Sequence, residues 1–331
     1  MELGLTSFAD APPDQHGERL RNVVEEIVLA DRLGLDIYGL GEHHRSDMAA
    51  SAPAITLAAA AGLTSHIRLS PAVVVLSSAD PVRTYQDFAT LDLLSNGRAE
   101  LLVGRGSFIE SFPLFGYDLA DYDELFAEKL DLLLRIREDA TVTWSGRFRA
   151  PIEGRSVFPR AQQQPLPVWI AVGGTPASVV RAGRLGLPLA LAIIGGDPAR
   201  FKVFADLYRR TLEESGHDPE TPLAVHAHGF VAEDDDRAAD TIWPSYQAMM
   251  TKIGRERGWP PMRREQFDWM RGPEGSLVLG DPETVARKID RWREVLGITR
   301  FMLHHAGRVD HADGMASIEL FGTEVAKRVN A

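Results

Sequence analysis

A closed parallel (β/α)8 barrel is the fold this sequence predicts. Three observations predict it. Eight short apolar runs are spread along the 331 residues. Amphipathic helical patterns separate most of them. No low-complexity linker interrupts the alternation. Strands alternating with helices make parallel sheets, and eight such units close into a barrel more readily than they stay open. The reading is therefore one domain, 1–331, with looser insertions at about 140–167 and 235–299.

The first strand is expected over Glu2–Phe8 and the second over Ile37–His44. Between them Leu20, Val23, Val24, Ile27, Val28 and Leu35 keep helical spacing, and Gly34 marks the stop. The third strand, Ile67–Ser78, precedes a helix carrying Val82, Tyr85, Phe88, Leu91 and Leu94. The fourth, Ala99–Gly106, precedes one carrying Phe126, Leu130, Leu133 and Leu134. Strands five to eight are read at Val168–Gly174, Pro188–Gly195, Leu223–Ala232 and Arg300–Ala306. Residues 140–167 read as a hairpin followed by a proline-rich loop. Residues 259–276, rich in Gly, Pro and Arg without periodicity, read as a lid. The helix at about 53–63 is apolar on every face, which predicts burial against a second subunit and hence a homodimer.

Composition excludes several functions. Thirty-six basic residues against 47 acidic ones give a net charge of −11, which argues against nucleic acid and anionic membranes as partners. There are no cysteines, so disulfides, thiolate metal sites and cysteine nucleophiles are absent. No signal peptide and no spanning segment is visible, so the expected location is the cytoplasm.

In such a barrel, ligands bind where the strands end. The second strand ends in Glu42-His43-His44. Alternation along a strand sends the two imidazoles to opposite faces, which disfavours a shared metal ion. Packing remains a reading of the pair. The favoured one has a histidine acting on a bound ligand, because imidazole changes charge near neutral pH. The fourth strand ends in "LLVGRGSF", where Gly104 and Gly106 flank Arg105. The fifth ends in "AVGGTPAS", where Gly173 and Gly174 lead into a helix whose first turn holds Thr175, Pro176 and Ser178. A guanidinium at one strand end and a glycine turn with exposed N–H groups at the next suit one phosphorylated cofactor.

"GLGEHH", "VVVLSSADPVRTYQDFATLDLLSNGRAELLVGRGSF", "LFGYD" and "PVWIAVGGTPASVVRAGRLGLPLALAI" resemble the bacterial luciferase-like flavin monooxygenases, in order, from the N-terminus to about residue 230. The resemblance implies a barrel that takes FMN, reduced by a separate reductase, and uses O2 to oxygenate a small organic substrate. It places Arg105, Gly173, Gly174, Thr175 and Ser178 at the flavin phosphate. Ala72 and Val73 fall at a cis peptide beneath the flavin ring, and Leu191, Ala192 and Ile193 beside it. It makes His43 the catalytic histidine, with His44 orienting or packing. Gly104 stands where luciferases carry a reactive cysteine, so nothing specific to light emission carries over. His304 and His305, near the end of the eighth strand, match no family pattern; they contact substrate or merely end the strand. Three rivals remain. One is a deazaflavin-dependent hydride-transfer enzyme of the same fold. Another is a flavin-binding protein without turnover. The third is a metal-dependent hydrolase built on Glu42, His43, His304 and His305.

Overall fold

The alternation read from the sequence closes on itself. The computed structural model describes residues 1–106 and 108–330. Its strands are β1 (Glu2–Ser7), β2 (Ile37–Leu40), β3 (Arg68–Pro71), β4 (Val74–Val75), β5 (Leu101–Gly104), β6 (Thr141–Trp144), β7 (Ile152–Ser156), β8 (Val168–Val172), β9 (Leu189–Ile193), β10 (Leu223–Val231), β11 (Val278–Gly280) and β12 (Arg300–His304). Parallel pairing runs in the order β3-β2-β1-β12-β10-β9-β8-β5-β4. β3 and β4 divide the predicted third strand at the cis peptide Ala72–Val73. β4 pairs with β5, and Leu69 bridges to Ala99, which joins the two ends of the ring.

Most strands end earlier than the apolar runs suggested, because the chain leaves the ladder to form the loops of the mouth. The helices then turn one apolar face to the barrel. Aspartates start several of them: Asp80 accepts hydrogen bonds from the N–H groups of Val82 and Arg83, and Asp281 from that of Thr284. Each precedes a proline at the first helical position, where a missing N–H costs nothing.

Inside the ring the floor is ionic. Arg300 donates to Glu100 at 2.7 Å and to Glu2 at 2.6 Å, while Arg68 donates to Glu100 at 2.5 Å. The Arg300 guanidinium also lies 4.2 Å from the centre of the Trp169 ring. Glu100 and Arg300 are almost fully buried, so each needs the other.

The insertions differ in how legible they were. Residues 140–167 hold the antiparallel hairpin β6–β7, followed by cis bonds before Pro159 and Pro165. Residues 259–276, read as aperiodic, contain the helix Arg264–Arg271. Its Phe267 and Met270 are buried against Tyr246 and Met250 of the helix Asp235–Arg257. β11 was not foreseen, because three residues carry no period. It pairs with the end of β10, where a Cβ on Gly229 would sit 2.1 Å from the Val278 carbonyl oxygen. Only glycine permits that approach.

The alanine-rich helix Pro53–Ala61 is apolar all round, and part of it faces its own subunit. Leu57, Ala60 and Ala61 are buried in its own subunit, and Ile55 is 73% exposed. Leu63, Leu93 and Leu94 add further exposed apolar surface on this helix's end and on the helix packed beside it. Ala60 is thus a position in the subunit's own core, and a dimer contact on this helix would run through Ile55.

Candidate active site at the carboxyl ends of the strands

Two unlike walls face each other across the barrel mouth. The first is built by β1, β2, β10 and β12. β2 ends at Leu40, so Glu42, His43 and His44 lie in the turn beyond it rather than in strand. The two imidazoles nevertheless separate. Glu42 takes His44 Nε2 at 3.0 Å on one oxygen and accepts the Val75 N–H at 3.1 Å on the other. His44 then leans on Phe115, with ring centres 5.0 Å apart. His43 stands edge-on between Phe8 at 4.5 Å and Phe108 at 5.3 Å. Its Nε2 is buried and has no hydrogen-bond partner.

Burial first, and then the neighbouring Arg45 and His44, push the His43 pKa down to about 3. This places its titration below the near-neutral range expected from residue type and holds His43 as a neutral imidazole. His304 and His305 are also told apart. His304 turns into the barrel, 3.0 Å from the Thr6 hydroxyl through Nδ1 and 4.2 Å from the Phe8 ring. His305 turns out of it and pairs with the Ser317 hydroxyl at 3.1 Å. Among the described residues no group of three or more histidine, aspartate or glutamate side chains is placed to hold a metal ion. Glu42 is committed to His44 and His305 faces away, so the hydrolase quartet does not assemble.

His228 belongs to this wall and was missed. On β10 it is the partner of His304 in register, and the two rings are 5.2 Å apart. The signal was present in "HAHGF", where His226 and His228 share a strand face two residues apart. Tyr246 was missed too, because its helix lies in the insertion. Its ring meets His228 edge-on at 5.7 Å.

The second wall is cationic. Arg105 follows β5, donates to the Thr175 hydroxyl at 2.9 Å and pairs with Asp123. Gly173 and Gly174 follow β8; Gly174 has φ +123°, and a Cβ on either would meet open space. Thr175 precedes the helix Pro176–Arg184 without capping it, because its hydroxyl is turned to Arg105. Ser178 is buried and its N–H donates to the Thr175 carbonyl, so that amide is already used by the helix. Arg181 comes from the same helix. Burial lowers its pKa and the nearby Arg105 guanidinium lowers it further, and its Nη1 is buried without a partner. Two guanidiniums are drawn together here, one with an unpaired buried nitrogen, so this wall is locally cationic.

Between the walls lie small side chains. Ala192 faces inward, on the same side of β9 as Ala190, which packs against Leu102 and Trp169. Leu191 and Ile193 point the other way, into the core beneath the helices, so only their backbone reaches the mouth. Ala72 and Val73 form the opposite floor. A Cβ on Gly104 would lie 2.9 Å from a Val73 methyl, so Val73 occupies the space a cysteine there would need.

One clasp crosses the rim. Arg45 donates to Glu256 at 2.6 Å and to Asp47 at 3.2 Å, and also pairs with Glu110. It lies 4.6 Å from the Phe108 ring centre and so ties together the loops after β2 and β5 and the helix Asp235–Arg257.

A family model described as luciferase-like monooxygenase matches residues 1–300. Among curated proteins, the chain is 34% identical over 169 residues to the uncharacterized protein y4vJ of Sinorhizobium fredii (strain NBRC 101917 / NGR234), covering 50% of this chain and 48% of that one. It is 32% identical over 185 residues to the F420-dependent glucose-6-phosphate dehydrogenase of Amycolatopsis mediterranei (strain U-32), covering 53% and 54%. The matches thus span about half the length of these relatives. Among solved structures, the oxygenating constituent of 3,6-diketocamphane monooxygenase from the CAM plasmid of Pseudomonas putida, a type II Baeyer-Villiger monooxygenase in complex with FMN, superimposes with a TM-score of 0.83. That match covers 99% of this chain and 98% of the other at 20% identity, and it bears on the fold alone.

Proposed function

The chain belongs to the luciferase-like monooxygenase family, and on that premise we propose that it is an FMN-dependent monooxygenase acting on a small organic molecule. The observation that carries this reading is the second wall. Arg105 and the unpaired Nη1 of Arg181 stand beside an open glycine turn and the Thr175 hydroxyl, which suits a compact phosphate dianion. Reduced FMN, when bound, supplies the electrons that let O2 react with an organic substrate.

The chain's own residues do the rest. Arg105, Arg181, Thr175 and the Gly173–Gly174 backbone hold the phosphate, while Ala72, Val73, Gly104 and Ala192 leave room for a planar ring. Phe8, Phe108 and the Arg45 clasp exclude water from the reacting face. The neutral His43 imidazole positions and moves a proton there through its buried Nε2. In this reading a separate reductase delivers the flavin in the cytoplasm.

A deazaflavin with an acidic tail would ask for more cations than this wall offers, since Arg105 is already shared with Asp123. The related F420-dependent dehydrogenase keeps that rival in view. Titrating the purified protein with FMN, reduced FMN and deazaflavin, followed by rapid mixing of the reduced complex with O2, separates the two. Preferential deazaflavin binding with no reaction with O2 would overturn the monooxygenase reading.

Arg105→Ala is expected to weaken FMN binding by roughly 2 kcal/mol or more, on the order of 30-fold in Kd. Riboflavin, which has no phosphate, should bind the variant nearly as well as the wild type. Equal losses for both ligands, measured by fluorescence titration, would place the phosphate elsewhere.

The homodimer is proposed through the exposed face of Pro53–Ala61. Ile55→Arg puts an unpaired charge in that contact and should shift the protein to monomer in sedimentation velocity. An unchanged sedimentation coefficient would remove this face from the interface.

A further inference from the structure

We propose that the substrate is an uncharged ring compound carrying more than one hydroxyl or carbonyl oxygen, read by His228, His304 and Tyr246. The inference rests on the reading above and adds what that reading leaves open, the chemistry of the molecule opposite the flavin.

The geometry comes first. His228 and His304 are register partners on adjacent strands, and His304 packs on Phe8 while Tyr246 meets the far side of His228. His228 Nδ1, His304 Nε2 and the Tyr246 hydroxyl are all buried without hydrogen-bond partners, as is His43 Nε2. All three residues are at least nine-tenths buried. Buried polar atoms in a folded protein are nearly always paired, and several unpaired ones in a single wall ask for a ligand with polar atoms of its own. They are spread along the wall, with the rings spaced 5.2 Å and 5.7 Å from one to the next. A molecule with a single oxygen at one end would leave most of them unmet.

The kind of polar atom follows from the inventory. A neutral imidazole offers one donor and one acceptor, and a phenol offers both. Burial lowers the pKa of His228 to about 4 and, with the neighbouring histidines, lowers that of His304 well below the ordinary imidazole value. The wall therefore carries no positive charge to meet a carboxylate or sulfonate. The nearest rim cations are already engaged: Arg45 with Asp47, Glu110 and Glu256, Lys252 with Asp47, and Arg257 over the Phe108 and Trp259 rings. An anion entering here would lose water and pass acidic side chains without gaining a partner. Hydroxyl and carbonyl oxygens pair with these groups at no such cost. Phe8 and Phe108 supply apolar faces for the ring body.

The test uses four probes: 4-hydroxyacetophenone, 4-hydroxybenzoate, tyramine and octanal. The first three share a phenol and differ in a neutral, anionic or cationic second group, and octanal is linear with a single oxygen. FMN affinity is measured first and reports on the cofactor reading by itself. Probe binding is then followed by calorimetry with and without FMN, so that its outcome does not depend on the flavin. The expected result is that 4-hydroxyacetophenone binds about tenfold or more tighter than the other three. His228→Leu and His304→Leu should each weaken it by about tenfold or more while FMN affinity stays within a few-fold. No binding of 4-hydroxyacetophenone, or equal or tighter binding of any other probe, overturns the proposal. So does full affinity in both leucine variants. Should those variants fail to fold, the ranking of probes on the wild-type protein decides it.

Discussion

Alanine in place of His43 is expected to leave FMN affinity within a few-fold and to cut coupled product formation by roughly 100-fold, the usual scale for losing a general acid or base. Hydrogen peroxide released without product should rise, because nothing then manages the proton where substrate and oxygen meet. The reasoning starts from placement: the ring is held between Phe8 and Phe108, and its Nε2 is buried with no protein partner. The phosphate wall is built from other strands, so affinity and turnover should separate.

The pH dependence carries a sign. The folded pKa of His43 is depressed from 6.5 to about 3. Its neutral form therefore favours the fold fully above 6.5, and that contribution is lost as the pH falls towards about 3. The kcat/KM profile should show no His43 ionisation near 6.5. His44→Ala should act differently, since its partner Glu42 also holds the Val75 amide. Lost stability with retained coupling is the expected outcome. Wild-type coupling in His43→Ala together with its loss in His44→Ala would reverse the two roles.

Glu100→Ala is expected to destabilise the protein by roughly 3–5 kcal/mol, because it strands the Arg300 guanidinium inside the barrel. After that change Arg300 keeps Glu2 as its one carboxylate partner among the described residues, and Arg68 loses its shortest contact. Urea unfolding followed by far-ultraviolet circular dichroism measures the loss. Burial alone would raise the Glu100 pKa, but Arg300 and then Arg68 outweigh it and hold the carboxyl below its ordinary 4.5. A depressed carboxylate contributes its stability above the unfolded value and gives it up as the pH falls through the folded one. Wild-type stability should therefore drop on acidification below about 4.5, and less steeply once Glu100 is gone. A loss under about 1 kcal/mol would mean that water reaches the floor and screens it.

Periodicity and local turn chemistry determined the barrel. The apolar runs and the helical spacing of Val23, Ile27 and their neighbours are local signals, and they lie in the elements they predicted. The meeting of Arg105 with Gly173–Thr175 was legible for the same reason: each sits at a strand end, and in a parallel barrel all strand ends meet at one mouth. Other features depend on side chains far apart in sequence. Tertiary packing alone placed His304 inward and His305 outward, brought His228 beside His304, and drew Tyr246 from an insertion onto the same wall. It also lowered the titration of His43, because a pKa follows from the solvent removed around a group, and residue type does not record that removal. The barrel is repeated locally along the chain, whereas the wall of His228, His304 and Tyr246 exists only where strands and a helix far apart in sequence come together.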